Sequence, residues 1–182
     1  MPYNIKSKTA QKILNFFFIH KKEKFYISQI AKFIQEDKSN VHKKLLELYE
    51  NEILLDEYIG NQRYFFLNND FRFLKEYEKI VSQTFGIEAI LKEELLAIGG
   101  IDNAFIFGSY AQNKLNPSSD LDILIVGSHD GIKLSKKLAQ LQKEWKLEIN
   151  PVEYSTKEYE RKIKSKDNFL SSVLKKPIIQ II

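Results

Sequence analysis

The chain has 182 residues, 43% hydrophobic and 29% charged, with a net charge of +4 and no cysteine. That mixture suits one large or two small globular domains and excludes a disulfide framework or a thiolate metal site. The longest apolar runs, such as Ile13 to Ile19, fall far short of the roughly 20 residues that span a bilayer, and no signal-peptide pattern opens the chain. A soluble, cytoplasmic protein without a membrane partner is therefore expected. The positive charge is local. Residues 1–75 hold 13 Lys and Arg against 9 Asp and Glu, whereas residues 76–182 hold 15 of each. A basic surplus on one module is a pointer to nucleic acid and equally the mark of a solvated lysine-rich surface.

The first seventy residues read as helices followed by a hairpin. Ile13, Phe16, Phe17 and His20 have helical spacing. Ser28 is the expected N-cap of a short helix carrying Ile30 and Ile34, and Ser39 that of the next, where Val41, Leu45 and Leu48 recur at i, i+4 and i+7. The stretch ILLDEYIGNQRYFFL then alternates around Gly60-Asn61, a two-residue hairpin signal. This order of elements resembles a winged helix-turn-helix domain over about residues 8–69, with ISQIAKFIQEDKSNVHKKLLELYENEIL as its core. The resemblance implies a recognition helix presenting Ser39, Asn40, His42, Lys43 and Lys44 to double-stranded DNA, with Arg63 on the wing against a phosphate. A winged helix that only meets a protein, or makes a homodimer, is the alternative.

Apolar residues from Phe71 to Val81 predict a connecting helix, and Ile87 to Ile98 predicts another that Gly99-Gly100 stops. A strand over Ala104–Phe107, a short helix near Ser109–Asn113, a strand over Leu121–Val126 closed by Gly127, a helix over Gly131–Lys146 and a strand over Leu147–Tyr154 follow. Strand, helix, strand, helix, strand is an α/β pattern. The tail PIIQII is expected to be a last strand or a partner contact, and Trp145 a core residue. His20, His42 and His129 are too scattered for a metal motif.

Asp120 and Asp122 are the anomaly in this half. Side chains alternate along a strand, so both point to one side of an otherwise apolar segment. Two carboxylates there repel unless a cation lies between them, and Mg²⁺ takes one or two carboxylates together with substrate phosphates. Gly108 lets backbone approach a ligand, and Ser109 opens a helix whose free N–H groups favour anions. Carboxylates beside a phosphate-friendly turn suit phosphoryl or nucleotidyl transfer.

Gly108-Ser109, ten intervening residues and then Asp120-Leu121-Asp122 resemble the signature of DNA polymerase β-like nucleotidyltransferases, most of all their minimal (MNT-type) branch. The resemblance implies an NTP substrate, ATP first among them, with two Mg²⁺ ions held by Asp120 and Asp122. It also implies nucleotide contacts from Gly108, Ser109, Ser119 and Lys114. A third carboxylate is implied on a later strand, Glu148 in LEI ahead of Glu153 in VEY, as a metal ligand and base for the acceptor. That branch usually reads Gly-Ser-x-Ala-Arg-Gly, and here Gln112-Asn113 stands in place of Arg-Gly. Some members are antitoxins that adenylylate a HEPN-type toxin, so an acceptor protein is among the implied partners.

The expected fold class is α+β. It comprises a winged helix-turn-helix domain (1–70), a helical connection (71–98) and a small polymerase β-like α/β nucleotidyltransferase domain with a mixed sheet (99–182). The expected function is Mg²⁺-dependent nucleotidyl transfer coupled to a DNA-binding module. The alternative is a transcriptional regulator whose second domain binds nucleotide without turnover or is inactive.

Overall fold

The computed structural model describes residues 5–112 and 119–182. Chain order starts with α1 (Lys8–Ile19), whose first turn is held by the Ser7 hydroxyl accepting from the Ala10 N–H. Its helical period puts Ile13, Leu14 and Phe17 wholly out of solvent. A two-residue strand, β1 (Phe25–Tyr26), leads directly into α2 (Ile27–Ile34) and then α3 (Lys38–Glu50).

Both helix starts differ from the expected caps. α2 begins one residue before Ser28, and the Gln29 side chain accepts from the Tyr26 N–H at 3.1 Å. Asp37, not Ser39, caps α3, accepting from the N–H groups of Ser39 at 2.8 Å and Asn40 at 3.4 Å. A carboxylate brings a full charge to the positive end of the helix, and Ser39 turns its own hydroxyl onto that carboxylate. These hydrogen bonds, the Ser39 hydroxyl's foremost, hold the Asp37 carboxyl below its ordinary value.

Val41, Leu45 and Leu48 of α3 are fully buried. Strands β2 (Leu54–Ile59) and β3 (Gln62–Leu67) pair antiparallel with Ile59 opposite Gln62, leaving Gly60-Asn61 as the turn. Gly60 takes the positive φ of +59° that such a turn requires. β1 adds to β3, giving the order β1-β3-β2. Two residues carry no readable period, which is why β1 is invisible in the sequence. Helix α4 (Leu74–Thr84) places Tyr77 and Val81 in the same core as α1 and α3. The expected 71–98 connection is therefore divided, and the compact units run Met1–Ile87 and Glu88–Ile182.

In the second unit α5 (Ile87–Ile98) buries Leu91 and Leu95. Then follow β4 (Ile101–Phe107), α6 (Gly108–Ala111), β5 (Leu121–Gly127), α7 (Gly131–Trp145), β6 (Ile149–Tyr154), α8 (Thr156–Lys164), α9 (Asn168–Leu174) and β7 (Ile179–Gln180). The sheet order is β6-β5-β4-β7, with β5 parallel to β6 and β4 antiparallel to β5 and β7. The sheet is thus mixed. The apolar tail forms its edge, where Ile181 N–H donates to the Ala104 carbonyl at 2.8 Å.

β5 is flanked on both sides and covered on both faces, which accounts for its continuous apolar run. On one face Leu124 and Val126 pack with Leu170 of α9, Tyr159 of α8 and Phe105, Phe107, Val152 and Tyr154 of the neighbouring strands. α7 buries Leu134, Leu138, Leu141 and Trp145, one helical stripe. No helix among the described residues is long and apolar enough to cross a membrane.

Candidate active site

Because β4 and β5 are antiparallel, the end of β4 lies beside the start of β5. Phe107 is paired with Asp122, and Gly108 follows as the first residue of α6. Alternation puts Asp122 on the face that carries Leu124 and Val126, with Asp120 in phase. α9 and the aromatic residues fill that face farther along the strand, and both aspartates remain half-buried at its beginning.

The Gly-Ser turn meets Asp122 at the shortest approach a backbone allows. Gly108 has φ +72°, and a Cβ added to it would lie 2.1 Å from Asp122 Oδ2. No other residue type fits this position without moving the carboxylate. The Ser109 hydroxyl is buried and has no hydrogen-bond partner among the described residues. Buried polar atoms are nearly always paired, so an orphaned hydroxyl on the turn that meets Asp122 is a candidate ligand contact. Burial first, and the charge of Asp120 second, push the Asp122 carboxyl above its ordinary value.

β6 supplies a residue that the motif does not announce. In the parallel register Asn150 is the partner of Asp122, and its Nδ2 donates to Asp120 Oδ2 at 2.5 Å. Glu148 precedes the strand. Its carbonyl accepts from the Leu121 N–H at 2.8 Å and its side chain is exposed. Among the described residues no group of three or more His, Cys, Asp or Glu is arranged to hold a metal ion. Glu148 stands one residue before β6, where the parallel register sets it beside Asp120. β6 starts at Ile149 rather than Leu147, and the residue delivered to Asp120 is an amide. Glu153 is paired with Ile125, on the face opposite Asp122, and its Oε2 lies 2.8 Å from Nε2 of His129.

Ser119 is half-buried immediately before Asp120, and Lys114 lies outside the described residues. Asp120 and Asp122, in phase on one face beside the Gly108 backbone, fit one hard divalent cation carrying substrate phosphates. Asp120 and Asp122 would hold that cation.

In the first unit Ser39, Asn40, His42 and Lys43 are exposed near the start of α3. Lys44 and Arg63 already have acidic partners. Lys44 Nζ reaches Glu47 at 2.6 Å, and Arg63 Nε donates to Asp56 Oδ2 at 2.6 Å. The Arg63 guanidinium also lies over the rings of Tyr49 and Phe65 at 5.1 and 5.0 Å. Antiparallel pairing sets Arg63 opposite Tyr58, within reach of Asp56 two residues away. A phosphate would have to compete for it.

A family model described as a nucleotidyltransferase domain matches residues 87–179, just over half of the chain. The match opens at α5 and closes at β7, so it takes in Gly108, Ser109, Asp120, Asp122 and Asn150. No curated protein and no solved structure matches the chain.

Proposed function

This chain belongs to the nucleotidyltransferase-domain family, and from that premise we propose that its second unit transfers a nucleoside monophosphate from an NTP to a hydroxyl acceptor with Mg²⁺. The first unit, read as a winged helix-turn-helix, is then a DNA-binding module that carries the transferase. The observation that carries the catalytic reading is the close approach of Gly108 to Asp122, with Asp120 in phase on the same face.

In that role the Gly108 backbone, bare of a side chain, admits the triphosphate close to the carboxylates, and the buried Ser109 hydroxyl donates to a phosphate oxygen. Asp120 and Asp122 would hold the cation at the reacting phosphate. When bound, Mg²⁺ neutralises phosphate charge and polarises the bond to be broken. The acceptor oxygen forms a bond to the α-phosphorus as the bond to the β-phosphate breaks, and pyrophosphate leaves. Glu148, exposed beside the start of β6, is assigned to take the acceptor's proton. Positioning of this kind removes the entropy of bringing two substrates together, which is worth several kcal/mol of barrier. A partner protein bearing the hydroxyl is the acceptor we favour.

Gln112, at the end of α6 where the minimal branch carries arginine, favours a second reading. There the domain binds nucleotide without turnover, and DNA binding through Ser39, Asn40, His42 and Lys43 is the output. That binding would weaken steeply with salt.

The test is incubation of the protein with α-labelled ATP, GTP, CTP or UTP and Mg²⁺ in lysate, beside Asp120→Ala/Asp122→Ala. Label on a protein or RNA band that vanishes in the double variant is the expected result. Nucleotide binding with no labelled band overturns the transferase reading and leaves the regulator.

A further inference from the structure

The two carboxylates of the site are not equivalent, and the difference comes from β6. Asp120 accepts from the Asn150 amide at 2.5 Å, whereas Asp122 meets the Gly-Ser turn. Asn150 reaches this place through a continuous parallel register, Leu121 with Ile149, Asp122 with Asn150 and Ile123 with Pro151. Its side chain therefore rises from the same face as both aspartates, half-buried like them. Glu148, two residues earlier, precedes the strand and is exposed, and among the described residues no group of three or more His, Cys, Asp or Glu is arranged to hold a metal ion.

An amide in this position differs from a carboxylate in charge and in hydrogen bonding. It is neutral, so it adds no negative charge beside the two aspartates. It also donates, so it pins one oxygen of Asp120 and leaves the other for a ligand. Groups that hydrogen-bond a metal-binding carboxylate typically change metal affinity 10–100-fold when removed.

We infer that Asn150 is the positioning residue of this site: its amide orients Asp120 without adding a further charge beside it, so the cation binds tightly only together with the nucleotide's phosphates. The inference rests on the proposed nucleotidyl-transfer reading. It gives the protein weak affinity for a free divalent cation and strong affinity for a cation–triphosphate complex. Asn150 acts through Asp120 and makes no claim on the reacting atoms.

Free Mn²⁺ binding, followed by electron paramagnetic resonance with and without a non-hydrolysable ATP analogue, tests it on the full chain. Wild type should bind Mn²⁺ weakly alone and at least tenfold more tightly with the analogue. Asn150→Ala should lose about 10–100-fold in Mn²⁺ affinity with the analogue present. Asn150→Asp should gain at least tenfold for Mn²⁺ alone, and should melt lower than wild type without metal and recover on adding Mn²⁺. That recovery is a signature that a purely structural asparagine would not produce, and it can be read even if Asn150→Ala fails to fold. If wild type binds the Mn²⁺–analogue complex while Asn150→Asp shows neither gain nor recovery, the inference falls and the function stands. If wild type binds no Mn²⁺ even with the analogue, and Asp120→Ala/Asp122→Ala behaves identically, both fall.

Discussion

The two units of the chain differ in the polar groups they leave buried and unpaired. In the first, charged side chains close on one another, Arg63 on Asp56, Lys24 on Glu57 and Lys21 on Glu78. Ser7 and Asp37 cap the starts of α1 and α3, and the apolar positions fill one core from α1 to α4. In the second, the described buried side-chain atoms that lack a hydrogen-bond partner are Ser109 Oγ and His129 Nδ1. The same unit sets two aspartates on the face of a buried strand and raises the carboxyl of one of them. A fold that optimised stability alone would pair or remove such groups, since an unpaired buried polar atom costs about 1–3 kcal/mol.

The sharpest way to break that contrast is Gly108→Ala. Its Cβ would lie 2.1 Å from Asp122 Oδ2, at a φ of +72° that L-residues rarely adopt, so the turn or the carboxylate must move. Nucleotidyl transfer should fall by about 10²-fold or more, the scale on which a roughly 1 Å misplacement acts. Measuring incorporated label against time checks this; a near-wild-type rate would mean the turn and Asp122 do not work as a unit.

Ser109→Ala sharpens the comparison with a smaller effect. The hydroxyl has no partner among the described residues, so its removal should leave the melting temperature unchanged or raise it. Nucleotide affinity, read by titration with a fluorescent ATP analogue, should drop about tenfold, the scale of one lost hydrogen bond to a charged group. A lower melting temperature with unchanged affinity would make Ser109 structural.

The smallest effect belongs to the first unit. Asp37→Ala removes the cap of α3, and its consequence should depend on pH. The folded-state value of Asp37 lies below the ordinary 3.8, so its contribution is complete above that value. It fades as pH falls through the depressed folded-state value. Melting curves of variant and wild type should differ near neutral pH and converge under strong acid; a difference that persists there would assign the loss to something other than the carboxylate.

Much of the fold can be read from local periods. Val41, Leu45 and Leu48 repeat as one turn of helix does, and Gly60-Asn61 between alternating segments permits a tight hairpin. The paired aspartates are equally legible, because alternation along β5 needs no partner strand. The caps of α2 and α3 are less so: Ser28 and Ser39 are good cap residues, yet which neighbour reaches the free N–H groups depends on where the chain bends. Glu148 stands out by its LEI setting, whereas Asn150 carries no local signal of its contact with Asp120.

What the sequence by itself determined is thus whatever depends on neighbours a few residues apart: the helical stripes, the turn at Gly60, the Gly-Ser to Asp-x-Asp spacing and the membership it carries. Tertiary structure decided the rest. α7 separates β5 from β6, and the parallel pairing of these strands selects which residue of β6 stands beside Asp120. A shift of one residue would have turned Asn150 to the other face and Pro151 or Ile149 to the aspartates. That register is set by burial of Leu124, Val126 and Val152 under α8 and α9, contacts between residues far apart in the chain.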